Sequence, residues 1–559
     1  MTSDARFLWN IRVPMRDGIE LSCDITLPPA PGPYPALLHR TPYDNTNPFF
    51  VRQAHFFAEP GYAFVFQDVR GRGDSEGELD TALRLEGKDG YDTIEWIAQQ
   101  PWCNGKVGTL GGSYAGEIQW HAAREQPPHL VTMVSSAATG RLMEDYPYRF
   151  GKFPPYWIWW LHLVSGRTLQ DSVSGLGARS PIDFDRIYRT RPLKDADLAL
   201  GNTRTAWREW LAHNTFDDYW QAASLLGHFH KIDVPVLHIT GWYDNAAMGA
   251  FFFYENMMAH SPAANRQWLL VGPWDHAGTR NPQRTYGDLD FTEAALLNMD
   301  ALHLRWFDYW MKDLDNGQAD DPPVRVFVMG SNQWHSGPAY PLPGTRTETL
   351  YLHGPAEPEK AGRLSNDTPN DVPPTVFVYD PEQPTPSRDP AIDPADRSVH
   401  LDNRYAEKRH DVRVFTSAAV EEPWTLMGTS YLVLYASSDC IDTDFMATLC
   451  DVHPDGRSIT LSTAVLRASY REGSAAPEPI VPGKIYEYRL EFYAAGLTLL
   501  PGHRLRISIM SSWYPAYDLN PNTGARQGDD AITQVAHQAI WHERSYSSHL
   551  LLPVAPVFA

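Results

Sequence analysis

Val107-Gly108-Thr109-Leu110-Gly111-Gly112-Ser113-Tyr114-Ala115-Gly116 is the stretch on which the fold turns. A short strand-like run leads into a serine held between small residues. A helical pattern follows, with Ala115, Ile118 and Ala122 at helical spacing. This is how a nucleophile elbow reads: a tight strand-to-helix turn projects the serine hydroxyl, and only small neighbours fit around it. The motif is short, and small-x-Ser-x-small arises by chance about once or twice in a chain of this length. Its fifth position is Ala115 rather than glycine, with Gly116 next. The surrounding chain must therefore decide between a nucleophile and an ordinary glycine-rich turn.

Working outward, residues 1 to about 140 alternate short apolar runs with helical patterns. Pro35–Arg40 and Tyr62–Gln67 read as buried strands, and Gly87–Gln100 as a helix with Tyr91, Ile94 and Ile97 on one face. The same texture returns as a strand over Val234–Thr240, a helix over Met248–His260 and a strand over Gln267–Val271. A long helix over Glu293–Lys312 and a last strand over Val324–Val328 close it. Alternating strands and helices predict a mainly parallel sheet covered on both faces. Residues 141–230 interrupt this pattern with few strand runs and many aromatics, among them Tyr146, Tyr148, Phe150, Phe153, Tyr156, Trp157, Trp159 and Trp160. They read as a helical cap whose aromatics either line a pocket or pack onto the domain beneath. From 346 to 559 the texture is all-β: Tyr486, Tyr488, Leu490 and Phe492 alternate with charged residues, and Leu505, Ile507 and Ile509 with Arg504, Arg506 and Ser508. Half-buried strands of this kind build a sandwich or jelly roll. The expected divisions are 1–140 and 231–345 for the α/β domain, 141–230 for the cap and 346–559 for the jelly roll.

The 559 residues are too many for one ordinary core. A net charge of −21 argues against nucleic acid and anionic membranes as partners. Met1–Phe7 lacks the basic start and apolar run of a signal peptide, and no stretch has the length of a membrane span. Cys23, Cys103, Cys440 and Cys450 are too few for a disulfide framework. The expectation is a soluble cytoplasmic protein with free thiols. Whether it forms a homo-oligomer is left open.

A serine hydroxyl needs a base, and the base needs an orienting carboxylate. Where a nucleophile elbow tops an α/β sheet, these follow in the order serine, acid, histidine. Asp244, in Gly241-Trp242-Tyr243-Asp244, follows one predicted strand, and His276, in Gly272-Pro273-Trp274-Asp275-His276, follows the next. Both lie just past the carboxyl end of a parallel strand, where such sheets place ligands. Asp275 is the competing acid, but it adjoins His276 and is poorly placed to reach that ring. The oxyanion needs two donors. One is the backbone N–H of Tyr114, and the loop Arg40-Thr41-Pro42-Tyr43-Asp44 has no glycine run to supply the other, which makes the Tyr43 hydroxyl a candidate.

These motifs carry a resemblance. Arg40-Thr41-Pro42-Tyr43, Gln67-Asp68-Val69-Arg70-Gly71-Arg72-Gly73, Ser75-Glu76-Gly77, Gly112-Ser113-Tyr114, Gly241-Trp242-Tyr243-Asp244 and Gly272-Pro273-Trp274-Asp275-His276 match the cocaine esterase and X-Pro dipeptidyl-peptidase-like serine hydrolases, the CocE/NonD group. Asp442-Thr443-Asp444-Phe445 and Leu500-Pro501-Gly502-His503-Arg504 extend the likeness through the C-terminal part. The resemblance implies an α/β-hydrolase fold with a helical cap insertion and a C-terminal all-β jelly roll. It also implies a triad of Ser113, Asp244 and His276 and Tyr43 as the second oxyanion donor. The α-amino-acid ester hydrolases of this group hold a substrate ammonium with a carboxylate cluster. Two of those acids would follow Asp244, where this chain has Asn245-Ala246-Ala247-Met248; only Glu144 or Asp145 in the cap could match a third.

The expected activity is hydrolysis of a small-molecule ester, or an amide, through an acyl-enzyme, with no cofactor. Alternatives are X-Pro dipeptidyl-peptidase or acylase activity and, from another class, a carbohydrate-binding role for the jelly roll. Pocket candidates are Glu144, Asp145, Tyr146, Trp157, Trp160 and Trp242. Asp68–Gly77 reads as a structural loop. No metal is expected, because His228-Phe229-His230 has no third ligand at metal spacing.

Overall fold

Runs such as Tyr34–Thr41 and Ala63–Asp68, apolar for most of their length and ending in His39-Arg40-Thr41 and Gln67-Asp68, read as strands covered on both faces, and every residue of both is buried. A computed structural model describes residues 5–171, 182–355, 361–369, 371–392 and 398–556; part of the cap insertion, 172–181, lies outside the described residues. Its first sheet has ten strands. They are β1 (Arg6–Pro14), β2 (Glu20–Leu27), β3 (Tyr34–Thr41), β4 (Ala63–Asp68), β5 (Cys103–Gly112), β6 (Leu130–Ser136), β7 (Val236–Tyr243) and β8 (Gln267–Asp275), then, past a small ribbon of β9 (Thr285–Tyr286) and β10 (Leu289–Asp290), β11 (Val324–Val328) and β12 (Gln333–Gly337). The order is β1-β2-β4-β3-β5-β6-β7-β8-β11-β12. The centre, from β4 to β11, is parallel, while β1, β2 and β12 join the edges through antiparallel pairing.

Helices α1 (Pro48–Ala58), α2 (Glu86–Ala98) and α3 (Tyr114–Arg124) connect the first half of the sheet. The cap is a set of short helices, α4 (Trp157–Leu163), α5 (Phe184–Tyr188), α6 (Ala196–Leu200), α7 (Trp207–Ala212) and α8 (Asp218–Gln221). In the second half come α9 (Ala247–His260) and α10 (Met299–Lys312). The helix expected from Glu293 starts only at Met299. Asn298 caps it, its side chain accepting from Ala301 N at 3.1 Å, and Glu293–Ala295 is a separate single turn.

The C-terminal domain, strands from Arg346 to Ala555, is a thirteen-stranded branched sheet folded around its own apolar interior. The alternation read from the sequence is its inner face: Tyr488, Leu490, Leu505, Ile507 and Ile509 are all fully buried. The largest core runs without a break from Trp242, Val271 and Phe327 of the first sheet into Leu426, Leu497 and Leu552. Gly496 permits this approach, because a Cβ there would lie 2.5 Å from the Trp242 ring. A buried charge cluster joins cap to C-terminal domain. Lys152 pairs with Asp444, and Arg467 bridges Asp444 at 2.9 Å and Asp518 at 3.0 Å. Asn520 donates to both Asp442 and Asp444. That is the work of the Asp442–Phe445 motif, since breaking a buried pair on one side costs about 3–5 kcal/mol. Among the described residues, no helix is long and apolar enough to cross a membrane.

Candidate active site

Strand β5 delivers Ser113 at φ 62° and ψ −128°, a conformation that a non-glycine residue rarely adopts, and α3 begins at the next residue. The turn is held from both sides. Ser113 N donates to Ser136 O on β6 at 3.0 Å, and the carbonyl of Ser113 accepts from Gly116 and Glu117. Tyr114 is locked by its side chain: its hydroxyl donates to Glu86 at 2.6 Å, and Glu86 pairs with Arg40 at 2.9 Å. As the first residue of α3, Tyr114 presents a backbone N–H that no carbonyl of its own helix can reach.

Asp244 follows β7 and His276 follows β8, and His276 Nδ1 lies 2.8 Å from Asp244 Oδ1. The carboxylate is fully buried and fully engaged: the Thr240 hydroxyl and the Ala246 N–H both donate to it at 2.9 Å. Burial pushes the Asp244 carboxyl up, but the charge and hydrogen bond of His276, with these two donors, outweigh it and hold it below the ordinary aspartate range. Asp275 is turned into its own loop, accepting from Gly278 N at 2.7 Å.

Tyr43, past the end of β3, has its hydroxyl in hydrogen-bonding contact with the Ser113 side chain, and Trp160 Nε1 donates to it at 2.9 Å. Burial raises its phenol above the ordinary value, so it stays protonated. Arg72 fixes this loop under the cap, donating to Pro42 O at 2.8 Å and Val164 O at 3.0 Å. Arg70, two residues earlier, pairs with Asp89 and Asp17. The Asp68–Gly77 loop is therefore a scaffold, as read. Ser113 makes its side-chain contact with Tyr43, and no hydrogen bond links it directly to His276; that bond commonly closes only once substrate is bound.

Arg280, absent from the sequence reading, brings the His276 loop against the elbow. Its Nη2 donates to His276 O at 3.0 Å, and its guanidinium covers Gly112, where a Cβ would lie 2.5 Å from Nη1. A side chain at Gly112 would have to push that guanidinium aside. No spacing rule marks an arginine four residues past a histidine.

The pocket candidates divide. Trp160 reaches the site through Tyr43 and lies alongside Tyr114, ring centroids 6.3 Å apart. Trp157 donates to Pro147 O and meets Trp160 edge-on, one layer back. Tyr146 is cap interior: its hydroxyl donates to Thr81 O, and its ring packs on Trp157, Trp210 and Trp220. Trp242 is not a pocket residue. It is 2% exposed, it donates to Phe327 O and it belongs to the core shared with the C-terminal domain, where Gly496 leaves room for its ring. Glu144 is paired with Arg141. Both Asp145 oxygens are buried without a hydrogen-bond partner, and burial pushes its carboxyl up to about 7.

A strained serine, a carboxylate-anchored histidine and a protonated tyrosine at one end of a parallel sheet are equipped for acyl transfer. The family model of the X-Pro dipeptidyl-peptidases (S15 family) matches residues 17–278, and that of the X-Pro dipeptidyl-peptidase C-terminal non-catalytic domain matches residues 316–551. The cocaine esterase of Rhodococcus sp. (strain MB1 Bresler) is 32% identical over 583 residues, covering 98% of each chain. This chain belongs to the S15 family. It is a serine hydrolase in which an α/β-hydrolase domain with a helical cap is joined to a C-terminal all-β domain. An aminopeptidase from the marine sediment archaeon Thaumarchaeota archaeon superposes with a TM-score of 0.88 at 26% identity, covering 99% of this chain and 97% of that one. An α-amino acid ester hydrolase superposes with a TM-score of 0.85 at 26% identity, with the same coverage.

Proposed function

We propose that this S15 hydrolase cleaves small-molecule carboxylic esters through an acyl-enzyme on Ser113, with His276 as base and Asp244 as its orienting acid. The observation that carries the reading is the 2.8 Å Asp244–His276 contact beside the strained Ser113 turn. Ser113 Oγ attacks the ester carbonyl carbon as His276 Nε2 takes its proton. The tetrahedral oxyanion is held by the Tyr114 N–H and the Tyr43 hydroxyl. Collapse expels the alcohol, which takes the proton back from His276, and water repeats the cycle to release the acid. Trp160 has a defined part: its N–H occupies one lone pair of the Tyr43 oxygen and leaves the phenolic proton to be donated. Tyr43→Phe is expected to lower kcat by about 10²-fold or more with little change in KM. Steady-state kinetics on a p-nitrophenyl ester checks this; near-normal kcat would assign the second donor to another group.

The acyl group is expected to be neutral. The α-amino acid ester hydrolase is named for substrates with an α-amino group. Here Ala246 and Ala247 follow Asp244, Glu144 is spent on Arg141, and the Asp145 oxygens are sealed. An unpaired ammonium is costly to bury. A phenylacetyl ester should therefore be cleaved at least as well as the matched phenylglycyl ester in kcat/KM. A preference for the phenylglycyl ester above about tenfold, roughly 1.4 kcal/mol, would reveal an anionic anchor. Asp145→Asn and Glu144→Gln would then locate it.

Cleavage of X-Pro peptides is the second reading, favoured by the family match and by the archaeal aminopeptidase. Gly-Pro and Ala-Pro anilides assayed beside p-nitrophenyl esters decide between the two. A cytoplasmic setting belongs to the same proposal, supported by four buried, unpaired thiols.

A further inference from the structure

Asp451, His453 and His503 meet on one face of the C-terminal sheet. Asp451 lies in the strand Asp444–Val452 and His453 just past its end, two residues on, so their side chains share a face. His503 directly precedes the strand Arg504–Met510, and the register pairs Val452 with Arg504, so the next step of the ladder sets His503 opposite His453. Their ring centroids are 4.5 Å apart. His503 Nδ1 lies 2.8 and 3.0 Å from the two Asp451 oxygens, and His453 Nε2 lies 3.5 Å from Oδ2. Donor atoms of all three fall within 4.8 Å of one another. Ligands around a tetrahedral zinc at bond lengths of about 2.0–2.2 Å stand about 3.4 Å apart, so small side-chain movements suffice to close the set on one ion.

We propose that Asp451, His453 and His503 bind a single divalent transition-metal ion, zinc being the ion their donors match. Two imidazoles and one carboxylate suit zinc, cobalt and nickel rather than the all-oxygen preference of calcium or magnesium. The surroundings are compatible. The Asp451 side chain is 7% exposed, while those of His453 and His503 are 21% and 12% exposed, which leaves room for water to complete the coordination. The nearby cation, Arg457, has Nη2 3.5 Å from His453 Nδ1 and is itself paired with Asp455 at 2.8 Å. An ion here pins the turn after one strand to the start of its neighbour. Tyr243, next to Asp244 in the chain, reaches this sheet, its hydroxyl donating to Thr460 O at 3.4 Å. The sequence hid it because its ligands come from two strands far apart in the chain.

The plainer arrangement is an Asp451–His503 ion pair with His453 stacked on it, and the experiment separates the two. The tag-free full chain is stripped with a chelator, dialysed and titrated with Zn²⁺ by calorimetry and with Co²⁺ by visible absorption. The expected result is one ion per chain, a Kd below about 10 μM, ligand-field bands for Co²⁺ and a Tm that rises with Zn²⁺ concentration. His453→Phe, which keeps the Asp451–His503 pair, should weaken Zn²⁺ about tenfold or more, and His503→Gln likewise. His228→Asn should leave the affinity unchanged. Absence of saturable binding, or binding that His453→Phe leaves intact, overturns the proposal.

Discussion

Ser113→Ala should abolish ester turnover, with kcat falling by about 10⁵-fold or more. The size of the effect follows from the chemistry. Without Oγ there is no acyl-enzyme, and what is left is water attack assisted by the oxyanion donors and by binding. The fold should be untouched, because the turn is held by backbone bonds to Ser136, Gly116 and Glu117 and by the Tyr114–Glu86–Arg40 chain, none of which uses the hydroxyl. The strain at φ 62° is also the same for alanine. Tm and near-ultraviolet circular dichroism check the fold, and kcat on p-nitrophenyl esters of several chain lengths checks the chemistry. Turnover within about tenfold of the parent in a folded variant would remove Ser113 from the mechanism.

Asp244→Asn is expected to cost about 10⁴-fold in kcat, with KM nearly unchanged. The substitution keeps the shape, and an amide oxygen at the Oδ2 position can still accept from the Thr240 hydroxyl, which leaves the amide nitrogen at the Oδ1 position against His276. What changes is the proton on His276. Asp244 accepts from Nδ1–H, which leaves Nε2 free as the base. An amide nitrogen facing Nδ1 favours the other tautomer and puts the proton on Nε2, where it blocks transfer from Ser113. Asp275→Asn is the control. Its carboxylate serves Gly278 of its own loop, and its loss should change kcat by less than about tenfold. Equal losses in the two variants would mean that neither carboxylate orients His276 alone.

The elements that position the site were legible because each states its period plainly. β3, β4, β7 and β8 are largely apolar runs ended by turn residues, and the loops after β7 and β8 carry an acid and a histidine in the order the elbow requires. Tyr43 was only a candidate from its glycine-poor loop, and the family resemblance made it the expected second donor. Long-range packing escaped the sequence. Nothing local marks Arg280 as the side chain that covers Gly112, or Trp160 as the donor to Tyr43, because both contacts join segments remote in the chain. Trp242 misled for a related reason. It sits two residues before Asp244, yet the strand register breaks between Gly241 and Tyr243 and its ring packs into the core beneath Gly496. The start of α10 shows the same limit at short range: Glu293–Leu297 is apolar enough to read as helix, but the Asn298 cap makes a fresh start.

The central claim is that one serine, Ser113, carries the acyl group. Its most direct test is a fluorophosphonate reporter applied to the active full-length chain, with adduct stoichiometry read from the intact mass and the site from peptide mapping. One adduct per chain is expected, on Ser113, appearing in step with loss of esterase activity and absent from Ser113→Ala. An adduct on a different serine, or full activity with no adduct, would contradict it.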